Sequence, residues 1–165
     1  MSEGSIERTG IQRVCVIGAG TMGHGIAQVI AGTGARVCLH DVSQDAVDAG
    51  LAHIRSNLDK GIARGKVSAT ERDTTLAHLR GSASLVDAVA DVDLVIEAVP
   101  ERAALKRQIF GAVAAFVGPE TIFATNTSSI PLASLVDAVP DARKFVGMHF
   151  FNPVQLMRLV EVVRT

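Results

Sequence analysis

Short apolar runs alternate along this chain with longer segments whose apolar residues recur at helical spacing. Strands are predicted at Arg13–Ile17, Arg36–His40 and residues 94–98, 121–125, 145–149 and 158–163, with a short one at 82–84. Helices are predicted at 21–32, 44–64 and 69–78 (after the break at Gly65), then 101–116, closed by Gly118 and Pro119, with a short one from Pro131. Strands that alternate with helices in this way fold as βαβ units around a parallel sheet, an α/β doubly wound architecture. No internal repeat, linker or low-complexity segment interrupts the pattern.

The first strand runs into IGAGTMGHGIAQ, which holds G-x-G-x-x-G at Gly18, Gly20 and Gly23 between a strand and a helix. Gly18 permits the tight turn, Gly20 lets the backbone approach a pyrophosphate, and Gly23 allows close helix packing. Ala19, Thr21 and Met22 complete the cofactor-binding segment, whose helix N–H groups face the anion. Asp41 closes the second strand twenty-three positions after Gly18, where a carboxylate accepts ribose hydroxyls and repels a 2′-phosphate. NAD is therefore expected rather than NADP. FAD uses the same turn, but its folds usually extend well beyond this length. In a plainer reading, the glycines form an ordinary helix entry and Asp41 caps the next helix. The expected fold is Rossmann-type, a doubly wound, mostly parallel sheet with an antiparallel C-terminal strand.

His149 and Glu161 stand twelve residues apart in GMHFFNPVQLMRLVEVV, equidistant from Gln155 across a Pro-containing turn. If the chain doubles back there, imidazole and carboxylate face each other across an antiparallel pair. The carboxylate then fixes the ring tautomer and stabilises the imidazolium formed when a proton is taken. Asn126, Thr127, Ser128 and Ser129 follow another strand, and Asn152 follows HFF. A serine hydroxyl can hold a substrate oxygen as it changes between alcohol and carbonyl, and an asparagine amide can hold a nicotinamide or its ribose. Each group also has an ordinary reading: residues 126–128 as caps of a helix near Pro131, and Asn152 with Pro153 as a turn. Ser128 lacks the G-x-S-x-G elbow of a hydrolase nucleophile.

Sixteen Lys and Arg against seventeen Asp and Glu, scattered along the chain, leave no basic face for nucleic acid. Trp and Tyr are absent, so base-stacking platforms would rest on six Phe. No apolar run approaches membrane-spanning length, so neither nucleic acid nor membrane is an expected partner. Residues 1–10 are polar and lack an apolar core, which predicts a short disordered lead rather than a secretory signal. Residues 11–165 then form one domain, for which 48% hydrophobic content suits a buried sheet. Cys15 and Cys38 sit in apolar strands without metal-ligand spacing. They suit packing in a reducing compartment, with the cytoplasm as the default and no metal expected.

IGAGTMGHGIAQ, DLVIEAVPE, NTSS, GMHFFNPV and LVEVV, in this order, resemble the NAD-binding domain of the L-3-hydroxyacyl-CoA dehydrogenases, including bacterial 3-hydroxybutyryl-CoA dehydrogenases, over residues 11–165. The resemblance implies NAD-dependent oxidation of an L-3-hydroxyacyl-CoA in fatty acid β-oxidation, or the reverse reduction. His149 is then the base, Glu161 its partner and Ser128 the contact to the substrate oxygen. Asn126 and Asn152 position the nicotinamide end, and Glu101 and Lys106 match further cofactor contacts. From sequence physics alone, Glu101 is an acid opening a helix and Lys106 a solvated base. The resemblance also places the CoA portion of the substrate along helix 44–64. Arg55, Asn57, Lys60 and Arg64 are on offer there, and positions 57, 60 and 64 share a face. Asn57 and Arg64 are taken as substrate contacts. Such enzymes carry a second, mostly helical domain that supplies another catalytic asparagine, covers the acyl chain and makes the dimer interface. This chain is expected to lack it, as a fragment or as a short form that needs a partner chain or a homodimer. A dehydrogenase of a sugar acid or other hydroxy acid, and a non-catalytic dinucleotide-binding module, are the competing readings.

Overall fold

The computed structural model describes residues 10–164; apart from Gly10, the predicted disordered lead lies outside the described residues. The chain runs β1 (Arg13–Ile17), α1 (Thr21–Ala31), β2 (Arg36–His40), α2 (Gln44–Ala63), α3 (Ala69–Ala77), β3 (Leu79–Ser82) and α4 (Leu85–Val89). It continues through β4 (Leu94–Glu97), α5 (Ala103–Ala114), β5 (Ile122–Thr125), β6 (Phe145–Phe150) and β7 (Val160–Arg164). The strands form a single sheet in the order β3-β2-β1-β4-β5-β6-β7, in which β7 alone runs antiparallel, against β6. This is the doubly wound architecture expected from the sequence, with its antiparallel final strand.

Alternating strand residues feed two cores. Val14, Val16, Val37, Leu39 and Ile96 pack with residues of α1 and α2 such as Ile26 and Ile54. On the opposite face, Cys15, Ile17, Cys38, Val95 and Phe123 pack with residues of α4 and α5. There Phe110 meets Phe123 and Phe145 edge-on, with ring centroids 6.0 and 5.5 Å away. Cys15 and Cys38 are buried register partners on β1 and β2, and burial raises both thiol pKa values, so each behaves as a small hydrophobe.

The structure differs from the sequence expectations at four places. The third strand lies at Leu79–Ser82 rather than 82–84, because Leu79 to Ser82 pair with Val37 to His40 of β2. Ser84 instead caps α4, an unpredicted helix of five residues, its hydroxyl accepting a hydrogen bond from Asp87 N. α5 begins at Ala103, so Glu101 lies in the loop before the helix rather than inside it. The helix predicted from Pro131 is replaced by three 3-10 turns, Leu132–Ser134, Val136–Ala138 and Ala142–Lys144, with Pro140 barring a continuous helix.

β1 and β4 are tied together at their N-terminal ends by Asp93. Its Oδ2 accepts from Gln12 N and Arg13 N, each at 2.8 Å, and its Oδ1 accepts from the Arg13 guanidinium at 2.8 Å. The Arg13 hydrogen bond is the main cause that holds this carboxyl down at about 2, below its ordinary value. A depressed folded-state pKa contributes stability above the unfolded value, about 4, and loses it as pH falls through the folded value. Asp93→Asn is expected to cost on the order of 1 kcal/mol at neutral pH and to flatten the loss of stability on acidification below about pH 4. Urea melts across that range check this; an unaltered acid limb would refute it.

Candidate active site

β1 lies between β2 and β4, so the chain winds to one side and then the other, and a crevice opens at the C-terminal ends of these strands. Gly18 N donates to His40 O at 2.8 Å, and Gly18 itself takes φ +101°, where an added Cβ would stand 2.7 Å from Ala98 O. At Gly23 an added Cβ would stand 1.6 Å from Gly18 O, so the turn can close only with glycine there. Gly20 differs: beyond its immediate neighbours in the chain, nothing lies within 4 Å of its would-be Cβ, which leaves open space above the turn. α1 has no side-chain cap and no acid in its first turn, whereas Ser43, Ser68 and Ser84 cap α2, α3 and α4. The first N–H groups of α1 are thus left for an anion, in a space that a side chain would fill.

Asp41 does not cap α2, because Ser43 accepts from Ala46 N in that role. Its Oδ2 accepts instead from Ala19 N at 2.8 Å and its Oδ1 from Val42 N at 2.7 Å, so Asp41 braces the glycine turn from the end of β2. The plainer reading of these residues therefore fails for Asp41. Turn, helix end and carboxylate together fit a dinucleotide.

His149 and Glu161 are register partners across β6 and β7, and His149 Nδ1 lies 3.0 Å from Glu161 Oε2. Assigning the ring proton to Nδ1 makes it the donor to the carboxylate and leaves Nε2 as the free basic nitrogen. The Phe151 ring, its centroid 4.6 Å away, packs against the imidazole. His149 and Ser128 line two clefts at once. One, of about 340 Å³, also holds Met22, Glu101, Asn126 and Asn152; the other, of about 290 Å³, holds Ser129, Leu132 and Glu161. The imidazole thus stands between a space beside the glycine turn and a second space on the β7 side.

The loop carrying Ser128 is fixed from below. Glu101 Oε1 accepts from the Thr127 hydroxyl, from Ser128 N at 3.0 Å and from Ser129 N at 3.2 Å. Glu101 Oε2 lies 3.1 Å from Lys106 Nζ. Desolvation alone would raise the Glu101 pKa, but the Thr127 hydroxyl, Lys106 and the Ser128 N–H together hold it down at about 2. Lys106 corrects the sequence expectation of a solvated base. It is 1% exposed and bonds both carboxylate oxygens of Glu97, at 2.7 and 2.9 Å, so it reaches the cleft only through Glu101. Glu97, wholly buried, also accepts from Thr125 Oγ and Val99 N, each at 2.7 Å.

Sequence reasoning missed Glu97. The one available signal was a glutamate closing the apolar strand LVIE nine residues before a lysine.

Asn126 Oδ1 accepts from Phe150 N at 2.8 Å, which leaves its amide hydrogens free to donate toward the first cleft. Thr127 Oγ accepts from Ile130 N, so this segment forms a hydroxyl-closed turn rather than a helix cap. Asn57 and Arg64 line neither cleft; Asn57 donates to Gln28 Oε1 of α1 at 3.3 Å and Arg64 is exposed at the end of α2. Among the described residues, no group of three or more His, Cys, Asp or Glu is placed to hold a metal ion, and no helix is long and apolar enough to cross a membrane.

Residues 13–165 match the family described as 3-hydroxyacyl-CoA dehydrogenase, NAD binding domain. The chain is 43% identical to a 3-hydroxybutyryl-CoA dehydrogenase of Bradyrhizobium diazoefficiens, over 93% of this chain and 52% of that protein. It is 40% identical to a 3-hydroxyadipyl-CoA dehydrogenase of Escherichia coli, over 93% of this chain and 32% of that one. The crystal structure of (S)-3-hydroxybutyryl-CoA dehydrogenase from Ralstonia eutropha superposes with a TM-score of 0.89 at 43% identity, over 93% of this chain and 54% of that one. The chain thus spans about half the length of the hydroxybutyryl-CoA dehydrogenases it matches.

Proposed function

Because this chain belongs to the 3-hydroxyacyl-CoA dehydrogenase family as its NAD-binding domain, we propose that it supplies the cofactor site and the catalytic base for oxidation of an L-3-hydroxyacyl-CoA, or for the reverse reduction. The observation that carries this reading is the 3.0 Å His149–Glu161 pair, with His149 and Ser128 shared between the two clefts. Bound NAD would supply the hydride acceptor for the substrate carbinol carbon. The residues from Gly18 to Gly23 would hold its pyrophosphate, Asp41 its ribose, and Asn126 and Asn152 its nicotinamide end.

The chain's own residues manage the proton. His149 Nε2 takes it from the 3-hydroxyl, and Glu161 offsets the positive charge that then spreads over the ring. Ser128 donates to the same oxygen as it becomes a carbonyl, from a loop that Glu101 keeps in place. In the reduction direction, the imidazolium returns the proton. Asn57 and Arg64 on α2 are the candidate contacts to the CoA portion, set apart from the reacting centre. Two buried free thiols suit the cytoplasm, and the reaction belongs to the oxidation of fatty acyl chains.

The test is a fusion of this domain to the C-terminal half of the Bradyrhizobium relative, assayed with acetoacetyl-CoA and with free acetoacetate. Reduction of the thioester with NADH, and little of the free acid, is the expected result. Preference for a free hydroxy or sugar acid would move the assignment to another substrate class. Tight NADH binding by a folded fusion without turnover on any of these would leave a binding module.

A further inference from the structure

Residues 151–159 connect β6 to β7 and carry Asn152, and Val154 is their one buried residue. β7, by contrast, is exposed along its described length and pairs only with β6. Val154 is 4% exposed and enters the core that contains Ile26 and Ala27 of α1. The space it fills is made by Gly25, one turn into α1. A Cβ added there would stand 2.9 Å from Val154 Cβ and 3.1 Å from its Cγ2. The phosphate turn and the β6–β7 turn are therefore joined by a side chain seated in the hole left by a missing one.

From this geometry we infer that Gly25 and Val154 are positioning residues. Their plug-and-socket contact sets the distance between the pyrophosphate turn and the Asn152 and His149–Glu161 groups. The inference rests on the cofactor reading above and deepens it. α1 begins at the proposed phosphate site and Gly25 faces Val154 directly, so a displacement at Gly25 is passed to the β6–β7 turn. Asn152 moves with that turn directly, and Glu161 moves through β7. Overpacking this contact should leave the fold standing while lengthening the 3.0 Å His149–Glu161 bond.

Gly25→Ala, Val154→Gly and the double variant of this chain are compared in NADH fluorescence titrations and in the ring-nitrogen NMR signals of His149 at fixed pH, with thermal melts as a folding control. Gly25→Ala is expected to weaken NADH binding roughly five- to tenfold and to shift the NMR signal of the His149 ring Nδ1, as its bond to Glu161 lengthens. Gly25→Ala with Val154→Gly should recover both to within about twofold, since that exchange removes both Val154 atoms the added methyl would meet, Cβ at 2.9 Å and Cγ2 at 3.1 Å. Additive losses in the double variant, or no change in either reading for a folded Gly25→Ala, overturn the inference. If Gly25→Ala does not fold, Val154→Gly alone decides: an unmoved His149 Nδ1 signal overturns it and a moved one supports it. Absence of NADH binding by the unsubstituted chain would sink the cofactor reading, while the His149 Nδ1 signal would still decide the role of the plug.

Discussion

His149→Asn lowers turnover by about 10²- to 10⁴-fold in the fusion protein, the range expected when a general base is removed, while NADH affinity changes by less than about threefold. The separation follows because the imidazole lies between the two clefts, apart from the glycine turn proposed above to hold the diphosphate. Glu161→Gln should follow with roughly a hundredfold loss, because an amide no longer offsets the imidazolium and can present N–H to Nδ1, favouring the wrong tautomer. The two losses should not add, since Glu161 acts through His149; the double variant should resemble His149→Asn alone. Stopped-flow turnover with NADH titrations on the same samples checks all three. Full activity in Glu161→Gln would remove the pair from the reaction, whatever its geometry.

Lys106→Met is expected to be the most destabilising single substitution in the domain, by roughly 3–5 kcal/mol, because it leaves the buried Glu97 carboxylate without its cation. Glu97 is 0% exposed and would keep only Thr125 Oγ and Val99 N as donors. Adding Glu97→Gln should return a large part of the loss, since an uncharged amide in that place needs no counterion. The double variant should still be catalytically weak in the fusion, because Glu101 loses its ammonium partner and the Ser128 loop is held less firmly. Denaturant melts read the first effect, and the split between kcat and KM reads the second.

The parallel strands β1, β2, β4 and β5 were legible because each is a compact apolar run, as burial on both faces demands, and β6 because it is also largely apolar, though partly exposed. β3 was not, because LRGS at the sheet edge has neither an apolar run nor clear alternation; pairing with β2 defines it. α4, at five residues, is too short to display a helical period and exists through the Ser84 cap and the burial of Ala88 and Val89. At the site, the facing of His149 and Glu161 followed from counting residues about the turn, because antiparallel register is symmetrical about its midpoint. The roles of Glu101 and Lys106 did not follow. A charged residue looks solvated in sequence unless its partner is known, and Glu97, Thr127 and the Ser128 N–H come together only when β4, β5 and α5 pack. Gly25 likewise read as one more glycine in a glycine-rich stretch, until Val154 arrived from 129 positions away to occupy its missing side chain.

Asp41 spends both carboxylate oxygens on backbone N–H groups while standing at the end of β2, one of them that of Ala19 in the glycine turn. On the ribose-binding role proposed above for Asp41, cofactor preference and loop architecture share one side chain. Engineering this scaffold to accept a phosphorylated dinucleotide by exchanging Asp41 for a small neutral residue would unpin the very loop meant to grip the new molecule. A workable redesign has to furnish Ala19 with a substitute acceptor first, and only then add the cation that greets the extra phosphate.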